Sequence, residues 1–377
     1  RALPIAAVKL LLHPLLVLGL ALAAQALGLP LSDFALQVIV LDYAVLWYLV
    51  VGALFAGYAV LDGFDLGVGA LHLFARTDEH RRLMLNSIGP VWDGNEVWLV
   101  VGGGALFAAF PNVYATVFSG FYLAMMLLLC ALIFRAVAIE FRSKQPMRWW
   151  RQTWDVSFSV ASIAASLLLG VALGNLVYGI PLDARGEYTG GILGLLRPYP
   201  LLTGITTVAL FMMHGSIYLV LRTEGELHDL VRARVNDAII FFVICYATTT
   251  MATLLYVPQM RVHIEQRPLL FVVPLATMLA IANVPREMHH ERFGRAFLSS
   301  CFAVVGLWGL VGIGMFPALV NATDPARSLT LMNSASSLGT LRTMAIIASI
   351  GIPLVAAYTV SIYWIFRGKV RLGSMSY

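Results

Sequence analysis

Apolar residues run along this chain in long blocks separated by short polar stretches, rather than alternating singly or recurring on one face. Blocks long enough to cross a bilayer lie at about 43–74, 86–110, 112–134, 154–178, 200–221, 236–257, 268–285, 296–317 and 340–366. A spanning helix needs roughly 20 apolar residues, so the pattern predicts about nine transmembrane helices. A further apolar run at about 5–28 has the length of an extra N-terminal helix. It is too long for a secretory h-region and lacks a clear small-residue cleavage site, so a signal peptide is not expected. The connections at about 179–199 and 318–339 are rich in Gly, Pro, Asn and Ser and read as irregular loops.

Composition fixes the class. Of 377 residues, 60% are hydrophobic and 12% charged, with a mean hydropathy of +0.83. A soluble domain is about a quarter charged. The expected fold is therefore an all-α polytopic membrane protein, a single helical bundle without an inserted soluble domain. The net charge of +5 comes from short basic clusters between apolar runs, which argues against nucleic acid as a partner and for membrane lipid as the surroundings. Alternate connections carry seventeen Lys and Arg (among them Arg76, Arg81, Arg82, Arg135, Arg142, Lys144, Arg148 and Arg151) against six on the other side. The positive-inside rule then places the residue 42 end outside and the C-terminus in the cytoplasm. A tenth span at the N-terminus would put Arg1 and Lys9 on the cytoplasmic side as well.

Chemistry concentrates early. "VLDGFDLG" places Asp62 and Asp65 three residues apart, and "VWDGNEVW" does the same for Asp93 and Glu96. Each pair shares a helix face. Ionisable groups within a span are costly and mark a site or an ion path. Counted from Arg76 and Arg82 at 1.5 Å per residue, Asp65 and Asp93 lie about 16 Å deep, and Asp62 and Glu96 about 21 Å. The two helices are antiparallel neighbours on a short loop, so Asp65 is expected to face Asp93 and Asp62 to face Glu96. Four such carboxylates cannot all ionise, so some are expected to hold protons near neutral pH. A proton relay and a purely hydrogen-bonding role both fit. Trp92 and Trp98 read as packing around a large buried group, and Asn95 as a bond across helices. Gly63 and Gly67, like Gly170 and Gly174, have the spacing that lets helices approach closely.

Other polar residues read as structural. Asp155 is expected to pair with Arg151 at a helix start. His214 in "FMMHGSIY" invites a haem-ligand reading, but a lone buried histidine without a second ligand is more simply hydrogen-bonded. The stretch 222–235 reads as a charged connection or short helix. His289 and His290 have no metal spacing. Cys130, Cys245 and Cys301 read as small packing residues, so no metal site and no directly bound cofactor is expected.

Longer stretches carry a family resemblance. "DYAVLWYLVVGALFAGYAVLDGFDLGVGAL", "LNSIGPVWDGNEVWLVVGGGALFAAFPNVYATVFSGFYLAMMLLLCALIFRAVAIEFRSK", "TWDVSFSVAS", "GVALGNLVYG", "LRTEGELH" and "GMFP" resemble subunit II of the cytochrome bd quinol oxidases, including the cyanide-insensitive branch. The resemblance covers about residues 41–377 and leaves 1–40 as an unmatched extension, open to reading as an extra helix, a fusion or a start artefact. It implies a bacterial inner-membrane respiratory enzyme that oxidises quinol and reduces O₂. Haems b558, b595 and d belong to a partner subunit I, with room for a small accessory subunit and a structural quinone. Subunit II would support assembly and contribute Asp62, Asp65 and Asp93, which match family acids, to a proton path from the cytoplasm; Glu96 is added to that path by its place beside Asp93 on the helix face. Trp92, Asn95 and Trp98 would shape the site near the haems and the subunit interface. No residue of this chain is expected to be catalytic in itself. Glu96 stands where some relatives have a neutral amide, which sets it apart from the other acids. The alternative reading is a proton-coupled secondary transporter, which would call for matching acids and broken helices in both halves.

Overall fold

The computed structural model describes residues 33–373. The apolar run at 5–28, with Arg1 and Lys9, lies outside the described residues. Thirteen α-helices make up most of the described residues: α1 (Asp33–Leu71), α2 (Asp78–Ile88), α3 (Trp92–Ala109), α4 (Pro111–Gly120), α5 (Tyr122–Phe141), α6 (Arg148–Tyr178), α7 (Pro198–Arg222), α8 (Gly225–Tyr256), α9 (Gln259–Gln266), α10 (Val272–His289), α11 (Phe293–Met315), α12 (Leu331–Ser334) and α13 (Leu338–Ile365). Helix α1 runs unbroken through residue 40.

Eight helices among the described residues are long and apolar enough to cross a membrane, one fewer than the sequence runs suggest. The run at 86–110 is the exception. Its helix, α3, has 18 residues and begins at Trp92, after Pro90, which has no N–H to continue a helix. Asp93, Asn95 and Glu96 dilute its apolar character. The run at 112–134 is also divided, into α4 and α5 around Phe121. The charged stretch 222–235 proves to be mostly helical, as the first three turns of α8.

Helix α7 is the centre of the bundle, 72% buried in its spanning window, and packs against α1, α6 and α8. Glycines allow these approaches. A Cβ on Gly215 of α7 would sit 2.6 Å from the backbone carbon of Gly67 on α1, and one on Gly170 of α6 would sit 2.7 Å from Gly204 Cα on α7. Both glycine pairs read from the sequence thus face α7. Gly215→Val should cost about 1–3 kcal/mol through overpacking, lowering the thermal midpoint of the solubilised protein. Gly294→Ala, where a Cβ meets nothing within 4 Å, should leave it unchanged. Equal midpoints for the two variants would contradict this packing.

The connections between spans are more ordered than their composition suggests. Strand β1 (Ala318–Val320) pairs antiparallel with β2 (Leu329–Thr330), with Ala318 opposite Thr330. Ile180 bridges to Ala322, so the two Gly- and Pro-rich connections form one cap over an apolar cluster that includes Trp47, Phe110 and Phe121. Within it Asp183 accepts from the backbone N–H groups of Glu187 (2.9 Å) and Arg185 (2.8 Å), which hold its carboxyl below the usual range.

Candidate functional site: a buried carboxylate–guanidinium centre

The site is built where α1, α3 and α5 meet. Asp62 and Asp65 are fully buried on α1, and one cation comes to them from α5. Arg135 Nη1 donates to Asp62 Oδ2 (3.0 Å) and to Glu96 Oε1 (2.7 Å), while its Nη2 donates to Asp62 Oδ1 (2.6 Å). Asp65 Oδ2 lies 3.9 Å from the same guanidinium. The planar fork of arginine suits this bidentate grip on one carboxylate with a second at its side.

Arg135 corrects the sequence reading, which placed it in a cytoplasmic connection. Helix α5 continues to Phe141, so Arg135 lies inside the helix and is completely buried. The acids therefore do not crowd together without a counter-charge.

The facing of the acids changes too. Asp62 and Glu96 meet through Arg135, but Asp65 does not face Asp93. Its partner is Asn95, whose Nδ2 donates to Asp65 Oδ2 (2.7 Å) and to the Leu61 carbonyl (3.2 Å). Asn95 Oδ1 accepts from the Tyr363 hydroxyl of α13 (2.9 Å). Asp93 is exposed, on the outer face of α3 shared with Val97, Val100 and Val101. At 100° per residue Asn95 lies 200° around the helix from Asp93, so burying Asn95 turns Asp93 out.

Exposure thus rises stepwise through the acids. Asp62 and Asp65 are at 0%, the Glu96 side chain at 23%, and Asp93 is open to the surroundings. Trp92 is buried in the core. Trp98 lies against Gly57 of α1, where a Cβ would collide with its ring, so it packs between α1 and α3.

A second ionic cluster closes the end of the bundle that carries the 72–77 connection. Asp155 accepts from Arg142 Nε (2.5 Å) and Nη2 (3.2 Å), Arg81 Nη1 (2.8 Å) and His72 Nε2 (2.6 Å). Arg151 is not its partner. It donates to Asp78 (3.0 Å), which also receives Arg142 (2.7 Å).

His214 has both ring nitrogens engaged, Nδ1 with the Ser300 hydroxyl (2.8 Å) and Nε2 with the Val60 carbonyl (3.0 Å). It is fully buried and stacked on Phe297. Such a histidine does not fit a haem-ligand role, since neither nitrogen is free. Among the described residues, no group of three or more His, Cys, Asp or Glu is arranged to hold a metal.

Fold and site together define an all-α polytopic membrane protein with a charged centre among its first three long helices. The family described as cytochrome bd terminal oxidase subunit II matches residues 43–366, and the chain belongs to that family. It is 37% identical over 366 residues to the cytochrome bd-I ubiquinol oxidase subunit 2 of Escherichia coli (strain K12), covering 88% of this chain and 96% of that one. It is 34% identical over 333 residues to the cytochrome bd ubiquinol oxidase subunit 2 of Bacillus subtilis (strain 168), covering 86% and 96%. The bd oxidase structure from Geobacillus thermodenitrificans has the same fold, with a TM-score of 0.72 at 14% identity, covering 86% of this chain and 98% of that one. The chain is accordingly a membrane-spanning subunit of a respiratory quinol oxidase, within a complex that contains a subunit I and haem cofactors. The transporter alternative falls with that assignment.

Proposed function

We propose that this chain is the haem-free partner of a haem-bearing subunit I, supporting its assembly and passing protons from the cytoplasmic side toward it through Asp62, Asp65, Glu96 and Asp93. The haems b558, b595 and d of the partner would carry the electron and oxygen chemistry. The loop-charge bias supports an inner-membrane orientation with the residue 42 end outside and the C-terminus in the cytoplasm. A small accessory subunit and a structural quinone are compatible with the family, and no residue of this chain is assigned to either.

One observation carries the relay reading: the acids form a graded series from a sealed interior to an uncovered helix face. Asp62 and Glu96 share Arg135, and Glu96 lies one helical turn from exposed Asp93. Carboxylates spaced this way can exchange a proton inward or outward while Arg135 balances the charge that remains. Asp93 is then the member that meets the partner chain.

The purified complex provides the test. Asp93→Asn should lower O₂ consumption with quinol, and the accompanying proton uptake, by at least tenfold, toward the roughly 10²-fold scale of a lost acid–base group. Haem content should be unchanged. Unaltered turnover would remove Asp93 from any proton path. Purification of the wild-type chain free of a haem-bearing polytopic subunit would overturn the partner assignment as well.

A further inference from the structure

Helix α13 packs less tightly than any other span. Its spanning window is 0% buried, and Leu341 is its one fully buried residue. Yet near its end it sends a polar group into the charged centre. The Tyr363 hydroxyl donates to Asn95 Oδ1 (2.9 Å), and the Tyr363 ring stands edge-on to Phe64, centroids 6.5 Å apart. Phe64 is the neighbour of Asp65 and stacks on Tyr218 at 4.0 Å.

The segment after α13 is tied down independently. The Val370 N–H donates to the Arg222 carbonyl (2.8 Å), the Arg222 guanidinium donates to the Gly368 carbonyl, and Lys369 Nζ donates to the Thr223 carbonyl (2.9 Å). These bonds cover the C-terminal end of α7, where unpaired carbonyls favour a cation. They anchor the chain from Gly368 onward, five residues past Tyr363.

From this geometry we infer that Tyr363 is a positioning residue for Asp65, acting through the Asn95 amide. This rests on the reading of Asp65 as a proton-carrying group. The amide has a single arrangement that satisfies its neighbours. Leu61 offers a carbonyl, which only accepts, so Nδ2 must point toward α1. Its two hydrogens then reach Leu61 and Asp65 Oδ2, and Oδ1 is left needing a donor. Tyr363 supplies it. The result is a carboxyl group held by one oxygen, while Asp65 Oδ1 has no hydrogen-bond partner among the described residues. That oxygen is the one free to take up a proton. Without the tyrosine hydroxyl, Asn95 Oδ1 is an unpaired acceptor, and the amide can turn away from Asp65. Helix α13 thereby sets the reactivity of an acid carried on α1.

The experiment uses the complete oxidase complex and compares Tyr363→Phe, Asn95→Ala, the double variant and Asp65→Asn. Tyr363→Phe keeps the ring, so the haem spectra and the KM for quinol should match wild type. Turnover should fall about fivefold, one lost hydrogen bond of about 1 kcal/mol, and its solvent deuterium isotope effect should rise. The double variant should be no slower than Asn95→Ala alone. A slow Asp65→Asn with a wild-type Tyr363→Phe would overturn the positioning role and leave the proton site standing. Wild-type turnover of Asp65→Asn would overturn both. Loss of haem along with turnover in Tyr363→Phe would mark the tyrosine as structural and also overturn the inference.

Discussion

Arg135→Leu is expected to destabilise the protein by about 3–5 kcal/mol, the usual consequence of removing one partner from a buried ion pair. Leucine is well suited to α5, so the loss would not come from the helix itself. It would come from Asp62, fully buried and gripped by two guanidinium nitrogens at 2.6 and 3.0 Å, and from Glu96 beside it at 2.7 Å. Both would lose their counter-charge in a low dielectric. The assembled complex should be recovered in much lower yield, with a depressed thermal midpoint. Arg135→Lys should fall between, because an ammonium keeps the charge but not the fork. Adding Asp62→Asn to Arg135→Leu should recover part of the stability, since the neutral amide needs no cation. A double variant no more stable than Arg135→Leu would show that charge balance is not the role of this arginine.

Asp155→Ala should be the second large effect, at about 3 kcal/mol. Asp155 gathers Arg142, Arg81 and His72, and Arg142 and His72 are as buried as the acid. The lower end of the range applies because Arg142 keeps Asp78 and Arg81 is 24% exposed. Since these donors come from the end of α1, from α2 and from the residues after α5, the expected result is local loosening as well as a lower midpoint. Limited proteolysis should cut the 72–77 connection faster in the variant. Equal cutting and an unchanged midpoint would show that the cluster is not what closes that end. Arg151→Ala, by contrast, should have a small effect, because its pair with Asp78 is partly exposed and such pairs contribute about 1 kcal/mol at most.

The chain's membrane character, helical class and family were legible in its apolar blocks and in the "DGFD" and "WDGNEVW" stretches. Depth was partly legible as well. Counting residues from the basic loop put Asp62 and Glu96 at the same level, and one arginine does join them. Counting says nothing about rotation around a helix axis. Which way α3 turns is decided by packing: Trp98 against Gly57 and Gly102 against Phe55. That rotation puts Asn95, not Asp93, on Asp65. Arg135 escaped the reading because it follows the apolar run at 112–134 and lies seven residues from Arg142, so it looked like loop charge. Its partner Asp62 is 73 residues away.

Local sequence was enough to place the chain in a membrane, because transfer of apolar side chains is a sum over local composition, and to show that four acids interrupt its first two apolar runs. Which acids meet a cation, which one stays exposed, and that Tyr363, 268 positions from Asn95, completes the site became visible in the folded chain alone. Those outcomes depend on how helices rotate and approach one another, and that is fixed by close-packed contacts between residues far apart in the chain.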